Sequence, residues 1–289
     1  MVEARLARSR GFLFSVMVAG ALLALPLGDA AAGGQKVDLA LVLATDVSYS
    51  VDENEARMQR QGTAQAFLNE EIVKAIEAGS LGRIAVAYLD FAEANTTHVL
   101  VGWRVIHDKE SAAAFAAELL KAPRTHGTMT SISDGIDLAV RVLKESEIDA
   151  TQITIDVSGD GPNNEGRMVV PARDEALAKG ITINGLAIVT DADKFDPYYL
   201  PDLDNYYRGC VIGGPRAFML VAHGFEDFAR AMRRKLVLEI SDARRPHSHE
   251  PGNPLIVKVA ATRASSGPHG YVYERGCDIG ERMRYGSAR

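Results

Sequence analysis

The chain has 289 residues, of which 47% are hydrophobic and 24% charged, with a formal net charge of −6 and two cysteines. These values are those of an ordinary globular protein, and they exclude a wholly disordered chain, a collagen-like repeat and a disulfide-dense small scaffold. Only one apolar run approaches membrane length, which excludes a multi-pass membrane protein, and the mild acidity argues against a dedicated nucleic-acid binder.

The first 32 residues have the three parts of a secretory signal peptide. Three arginines occur within Met1–Arg10, Gly11–Leu27 carries no charge, and small residues follow in an A-x-A arrangement. An uncleaved membrane anchor is the alternative, but the apolar run is short for a span of about 20 residues, and Pro26 interrupts it. We expect cleavage after Ala32 or Ala30 and an exported protein, either periplasmic or secreted.

Strand and helix patterns alternate along the mature chain. Val37–Ala44 is apolar almost throughout, as in a strand buried on both faces of a parallel sheet. The apolar residues of Glu53–Glu77 recur at the spacing of one long amphipathic helix. Further strands are predicted at Arg83–Phe91, His98–Val105, Thr151–Val157, Ile181–Val189 and Ala217–Ala222. Further helices are predicted at Lys109–Lys121, Ser131–Ser146, Val169–Lys179 and Phe225–Leu238.

This alternation predicts an α/β fold of the Rossmann-like kind, with a doubly wound, mostly parallel sheet and helices on both faces. His98–Val105 follows its predecessor with too few residues for a crossover helix, so we expect a short antiparallel edge strand. We assign residues 33–240 to this one domain, which holds 21 Lys and Arg against 31 Asp and Glu.

The composition changes after residue 240. Residues 241–289 are rich in Pro, Gly, Ser and His, hold 8 Lys and Arg against 5 Asp and Glu, and predict a flexible basic tail. Cys277 lies in this tail and Cys210 in the domain. Export would permit a bridge between them, but two cysteines do not make a framework, so the sequence favours two unpaired thiols.

Polar residues follow the predicted strands at the end of the sheet where ligands bind in such folds. Asp46, Ser48 and Ser50 form a D-x-S-x-S sequence after the first strand, Asp160 follows the fourth main strand, and Thr128 lies in a loop before a helix. All five offer oxygen, which suits Mg²⁺, or Mn²⁺ and Ca²⁺, and disfavours zinc and copper. We therefore predict that these five residues form one metal site.

Helix capping is the alternative interpretation of the same loops. Ser50-Val51-Asp52-Glu53 is also an S-x-x-E capping box, and Ser131 can cap the helix that follows it. A single D-x-S-x-S would occur by chance in many proteins. Oxygen donors in three loops that converge on one end of the sheet favour a metal site over capping alone.

The same residues resemble the metal-ion-dependent adhesion site of the von Willebrand factor type A domain, an integrin I-like fold. The D-x-S-x-S of Asp46–Ser50, the threonine of Gly127-Thr128 and the aspartate of Ser158-Gly159-Asp160 are present in the order of that family. More narrowly, the span from Lys36 to Ile240, including Cys210–Pro215, is similar to a bacterial family of exported proteins of unknown function with this fold.

The resemblance implies that the serines and the threonine ligate the ion directly, with the aspartates acting partly through water. It also implies that an acidic side chain of a protein partner completes the octahedron around the ion. Ser158-Gly159-Asp160 is a departure, because a hydrophobic residue, then Ser or Thr, then Asp is commoner there. The expected function is an exported, non-catalytic module that recognises an acidic group on a protein partner.

A metal-dependent hydrolase of phosphate or ester substrates in the same cleft is the alternative function. It needs a base near a metal-bound water, and His126 or Asp160 is the nearby candidate. The sequence contains no nucleotide-phosphate loop, nucleophile elbow or H-E-x-x-H zinc sequence, and no complete catalytic set is evident. A sheet-end site that only caps helices and binds nothing is the third alternative.

Two other segments carry candidate ligands. Asp191–Tyr207 holds five aspartates and four tyrosines, which could bind a second cation or form a contact surface. We favour solvated aspartates and tyrosines that pack the loop against its own domain. His247, His249 and Glu250 could hold a transition metal, but a Pro-rich tail favours a solvated segment.

Overall fold

The computed structural model describes residues 34–190, 198–243 and 271–286. Six strands form one sheet in the order β3-β2-β1-β4-β5-β6. They are β1 (Gln35–Asp46), β2 (Ile84–Phe91), β3 (His98–Ile106), β4 (Ile148–Gly159), β5 (Thr182–Val189) and β6 (Met219–His223). Neighbouring strands are parallel except for the antiparallel pair β2 and β3. The predicted mostly parallel sheet with one antiparallel edge strand is confirmed.

Helices cover both faces of this sheet. They are α1 (Glu53–Phe67), α2 (Glu70–Glu77), α3 (Lys109–Lys121), α4 (Ile132–Lys144), α5 (Val169–Leu177), α6 (Leu203–Tyr206), α7 (Phe228–Ala243) and α8 (Ile279–Arg284). A π-helical turn, Tyr207–Val211, follows α6, and a 3-10 turn, Phe225–Asp227, precedes α7.

The alternation of side chains along β1 divides the core into two layers. Leu39, Leu41 and Leu43 share one layer with residues of α1, α2, α3 and α7. Val42 and Ala44 share the other layer with residues of α4 and α5. Because both faces are covered, β1 is buried almost from end to end, which explains its uninterrupted apolar sequence.

The register of β1 and β4 brings two of the predicted site loops together. Thr45 of β1 pairs with Ser158 of β4, so the chain leaves both strands at the same edge of the sheet. The strand order reverses between these two strands, which is where open parallel sheets bind their ligands.

The single helix predicted over Glu53–Glu77 is wrong, because the chain breaks it at Leu68 and Asn69. The Asn69 side chain accepts a hydrogen bond from the Glu71 N–H at 2.9 Å and starts α2 as its N-cap. Phe67 and Ile72, on either side of the break, are both buried. The apolar spacing therefore continues through the break, and the asparagine was the signal for it.

The C-terminal part of the chain corrects two further predictions. Cys210 and Cys277 form a disulfide bridge, so the expectation of two unpaired thiols is wrong. A flexible tail is wrong for residues 271–286, because Tyr273 and Ile279 are buried and belong to the core layer of α4 and α5. These two side chains add to an existing core, which a composition argument about the tail alone does not detect.

Several predicted features lie outside the residues that the structure describes. They are the signal segment at residues 1–32, the aspartates of Asp191–Asp196, and the group His247, His249 and Glu250. Within the described ranges, no helix has the length and apolar character needed to cross a membrane.

Candidate metal centre

Asp46, the last residue of β1, is completely buried. The Ser48 N–H donates a hydrogen bond to Asp46 Oδ1 at 2.9 Å, and the Gln59 side chain donates to the Asp46 backbone carbonyl at 3.2 Å. The second carboxylate oxygen, Asp46 Oδ2, has no hydrogen-bond partner in the described structure. A buried polar atom without a partner is costly, so this oxygen is suited to an added ligand.

The electrostatics at Asp46 favour a cation. Burial raises the pKa of the Asp46 carboxyl from 3.8 to about 7, and the hydrogen bonds from Ser48 offset only part of that effect. A divalent ion beside the carboxylate would stabilise the charged form that burial disfavours.

Hydrogen bonds join the loop after β1 to the loop after β4. Ser50 Oγ donates to Asp160 Oδ1 at 2.8 Å, and Ser48 Oγ lies 3.3 Å from Ser50 Oγ. The structure thus brings together Asp46, Ser48, Ser50 and Asp160, as the sequence predicts. Oxygen atoms of Ser48, Ser50 and Asp160 are already in contact, and Asp46 is held beside them by the Ser48 N–H.

Helix capping does not account for Ser50. Asp52 is the N-cap of α1: its side chain accepts from the N–H groups of Asn54 and Glu55, and Glu55 accepts from the Asp52 N–H. The S-x-x-E interpretation of Ser50 is therefore wrong. Ser131 does cap α4, since its hydroxyl accepts from the Asp134 N–H at 3.2 Å.

Glu93, a residue that the sequence argument missed, holds the loop that carries Thr128. The N–H groups of Thr128 and Met129 donate to Glu93 Oε2 at 2.8 and 3.1 Å. The pKa of Glu93 is lowered overall: its partial burial would raise the pKa, but these two hydrogen bonds and one from the Thr128 hydroxyl outweigh that effect. Glu93 comes two residues after β2, so inspection of that strand end would have found it.

Gly127 allows the threonine loop to approach β2 closely. A Cβ atom at position 127 would lie 2.2 Å from Ala92 Cβ and 2.6 Å from Glu93 Oε2. The Gly127 N–H also donates to the Val47 carbonyl at 2.9 Å, which ties this loop to the loop after β1. Glycine at this position is therefore required by packing.

A cavity of about 210 Å³ lies beside the converging loops. It is lined by Ser48, Tyr49, Ser50, Thr128, Thr130, Asp160, Gly161, Asn164, Tyr198 and Tyr199. Four of the five predicted ligands line this cavity, and the fifth, Asp46, is buried. His126 is not among the lining residues; it is exposed, with its ring centroid 6.3 Å from that of Tyr49.

Tyr207 explains the glycine at position 159. A Cβ atom there would lie 2.8 Å from Asp46 Oδ2 and 2.8 Å from the Tyr207 hydroxyl. Burial raises the pKa of Tyr207, and the charges of Asp46 and Asp160 add to this effect. The hydroxyl is buried and has no hydrogen-bond partner in the described structure. The phenol of Tyr207, at the start of the π-helical turn, thus lies beside Gly159, the residue that departs from the family pattern.

The residues present fit a divalent cation with hard oxygen ligands. The set comprises two carboxylates and three hydroxyls, and one carboxylate oxygen is buried without a partner. In the described parts of the chain, no three or more His, Cys, Asp or Glu side chains form a metal cluster. A site that takes most of its ligands from serine and threonine is consistent with that finding.

The fold is that of von Willebrand factor type A domains. One similar structure is the pilus adhesin SpaC from Lactobacillus rhamnosus GG, with 16% sequence identity and a TM-score of 0.52; the match covers 73% of this chain and 31% of that chain. Another is proximal thread matrix protein 1 from the mussel byssus, with 16% identity and a TM-score of 0.50; the match covers 72% of this chain and 47% of that chain. A third is a von Willebrand factor type A structure from Catenulispora acidiphila, with 12% identity and a TM-score of 0.49; the match covers 71% of this chain and 43% of that chain. This chain matches less than half the length of each of these proteins.

Residues 36–244 match a family model described as "Protein of unknown function (DUF1194)", and the chain belongs to that family. The match includes the whole of α7, which ends at Ala243, beyond the domain boundary predicted at residue 240. A comparison with curated protein sequences gives no match.

Proposed function

We propose that the protein is a divalent-cation-dependent binding module, in which Asp46, Ser48, Ser50, Thr128 and Asp160 hold Mg²⁺ or a similar ion. The observation that carries the proposal is the contact between the loops after β1 and β4, with the buried Asp46 Oδ2 left unpartnered beside it. A bound ion would supply a positively charged position open to an outside oxygen ligand.

The partner group that suits this centre is a carboxylate on another protein. Three of the five ligands are neutral hydroxyls, so the ion retains affinity for an added anionic oxygen. The cavity gives that group access, and Tyr49, which is 71% exposed, stands at its rim as an aromatic contact for the partner. The similarity to a pilus adhesin supports a binding role. The basic and apolar sequence of residues 1–32 supports export.

The hydrolase alternative has weaker support. His126, one of the two candidate bases, does not line the cavity, and its ring contacts the exposed Tyr49. Asp160, the other candidate, lines the cavity but accepts a hydrogen bond from Ser50 and is one of the proposed metal ligands. The chain's own residues therefore offer groups that bind and orient an acidic ligand.

Calorimetric titration of residues 33–289 with Mg²⁺, Mn²⁺ and Ca²⁺ tests the metal site. We expect binding by the wild type and a loss of affinity of at least roughly 100-fold in Asp46→Ala, since removal of an outer partner alone costs about 10–100-fold. Asp149→Ala is the matched control, because Asp149 is exposed near the opposite end of β4. No binding to the wild type, or equal binding by both variants, would contradict the site.

Capture of exported proteins on the immobilised protein, with Mg²⁺ or with EDTA, tests the partner. We expect a partner that is retained with Mg²⁺, released by EDTA and absent from the Asp46→Ala column. A partner that stays bound in EDTA would contradict recognition through the ion.

A further inference from the structure

The loop between β4 and α5 is held in place by the C-terminal segment, residues 271–286. This loop begins with Asp160 and continues through Asn163, which is completely buried. The Asn163 amide donates to Glu281 Oε1 at 2.8 Å, so a side chain of α8 binds the loop directly.

The backbone of α8 also approaches the loop closely. A Cβ atom at Gly280 would lie 2.0 Å from the Asn163 carbonyl oxygen, a distance that no side chain tolerates. Arg284 donates to the Asn164 carbonyl at 3.3 Å and forms an ion pair with Glu165. Three successive loop residues thus contact α8.

The same loop is also hydrogen-bonded to the chain just after Thr128. Asn164 accepts a hydrogen bond from the Thr130 N–H at 2.8 Å through Oδ1, and its own N–H donates to the Thr130 carbonyl at 2.8 Å. Asn163 Oδ1 accepts from the Ser133 N–H at 2.9 Å. The two asparagines therefore connect α8 to the loop that carries Thr128.

The segment also contacts parts of the domain other than this loop. Cys277 is bridged to Cys210 in the π-helical turn, and the ring of Tyr273 packs edge-on against that of Tyr206 at 5.7 Å. Arg275 forms an ion pair with Asp202 at 3.0 Å. These anchors place α8 against the loop without contacting a predicted ligand.

We infer that Glu281 and Gly280 are positioning residues that hold the β4–α5 loop, and with it Asp160, in its metal-binding conformation. This inference rests on the proposed function for its metal readout. Its physical basis is that ligands are oriented by the hydrogen bonds of the groups behind them, and losing such a partner costs roughly 10–100-fold in affinity.

The test compares four variants of residues 33–289. Glu281→Ala removes the acceptor for Asn163, and Gly280→Ala forces α8 away from the loop. Glu281→Gln keeps an acceptor oxygen at the same place. Arg275→Ala is the control, since Arg275 belongs to the same segment but its partly exposed ion pair with Asp202 does not touch the loop, and the disulfide still anchors the segment.

Two measurements are made on each variant: Mg²⁺ affinity by calorimetry, and amide hydrogen exchange of residues 160–168 in EDTA. We expect Glu281→Ala and Gly280→Ala to bind Mg²⁺ roughly tenfold more weakly and to exchange faster in this loop. Glu281→Gln and Arg275→Ala should match the wild type in both measurements.

The two readouts separate failure of the inference from failure of the proposed function. If the wild type binds no Mg²⁺, the proposed function fails, and exchange in EDTA still tests the positioning role. Wild-type exchange in Glu281→Ala and Gly280→Ala, or an equal loss of protection in Arg275→Ala, would overturn the inference.

Discussion

Asp46 and Tyr207 each leave a buried oxygen atom without a hydrogen-bond partner in the described structure. Both atoms would contact the same Cβ at position 159, so they face the same small space beside Gly159. An unsatisfied buried polar atom destabilises the folded state by about 1–3 kcal/mol, so two at one place should lower stability appreciably. If the proposed site is correct, we expect a bound cation and its water to satisfy both atoms.

Replacement of Tyr207 by phenylalanine separates these two effects. Without divalent ions, Tyr207→Phe should raise the free energy of unfolding by about 1 kcal/mol, because it removes an unsatisfied hydroxyl. It should also weaken Mg²⁺ binding severalfold. Urea unfolding in EDTA and calorimetric titration measure the two changes.

Tyr206→Phe is the control for this prediction. The Tyr206 hydroxyl accepts a hydrogen bond from the Asn163 N–H at 3.1 Å, so its loss should lower stability by about 1 kcal/mol. A loss of stability in Tyr207→Phe as large as in Tyr206→Phe would show that the Tyr207 hydroxyl is satisfied in solution.

The predictable part of the centre was the part that is local in sequence. Asp46, Ser48 and Ser50 stand together after a strand whose apolar run identifies it, and the structure places them with Asp160. Tyr207 could not be assigned in this way, because its hydroxyl reaches this place only through the tertiary packing of the π-helical turn, which is distant in sequence. No residue spacing encodes that approach.

At the scale of elements, a buried ion pair between Lys235 and Asp156 connects α7 to the sheet. Lys235 Nζ lies 2.9 Å from Asp156 Oδ1 of β4 and 2.6 Å from Glu239 Oε1 one turn along α7, and all three side chains are buried. Two carboxylates thus share one cation. Burial raises the pKa of Asp156 to about 7; Lys235 opposes this rise and Glu239 adds to it.

This arrangement predicts a stability that falls as the pH rises from about 4 to about 7. The raised pKa of Asp156 means that the folded protein keeps a proton that the unfolded chain releases in this range. Glu239→Gln removes the surplus negative charge and should make the free energy of unfolding depend less steeply on pH. Lys235→Met leaves both carboxylates without their cation and should lower the free energy of unfolding by about 3–5 kcal/mol at pH 8.

Urea unfolding at pH 5 and pH 8 in EDTA measures both effects. Asp46 titrates in the same direction, so its contribution to the slope remains in both variants. A wild-type stability that rises over this range would contradict the buried arrangement.

Helical periodicity predicted α7, but it did not predict that Lys235 of this helix is buried. The spacing over Phe225–Leu238 identifies an amphipathic helix, and Lys235 looks like part of its solvated face. Its burial depends on Asp156, which belongs to a strand some 80 residues earlier and offers a carboxylate inside the sheet–helix layer. A charge is tolerated inside a protein only when a partner is supplied, and the partner here is non-local.

At the scale of the whole molecule, the bridge between Cys210 and Cys277 joins positions 67 residues apart. In the chain-entropy model, closing a loop of that length stabilises the folded state by about 4 kcal/mol. We therefore expect reduction by a phosphine to lower the free energy of unfolding by about that amount, as measured by urea unfolding.

The double variant Cys210→Ser/Cys277→Ser is the control, and its stability should not respond to the reductant. An oxidised wild type no more stable than its reduced form would contradict the prediction. The sequence could not establish this bridge, since composition described residues 241–289 as a solvated tail. The buried Tyr273 and Ile279 that bring Cys277 to the domain lie in a three-residue run, Tyr271–Tyr273, and between Asp278 and Gly280, so neither forms a recognisable strand or helix pattern.

The same bridge has a consequence for proteolysis. Arg244, Arg245, Lys258 and Arg263 lie between the two cysteines in sequence. Cleavage of the main chain after any of them leaves the domain and the C-terminal segment covalently joined through sulfur. A nicked protein would run as one species until it is reduced and only then separate into two, so α8 can stay against the β4–α5 loop after the chain has been cut.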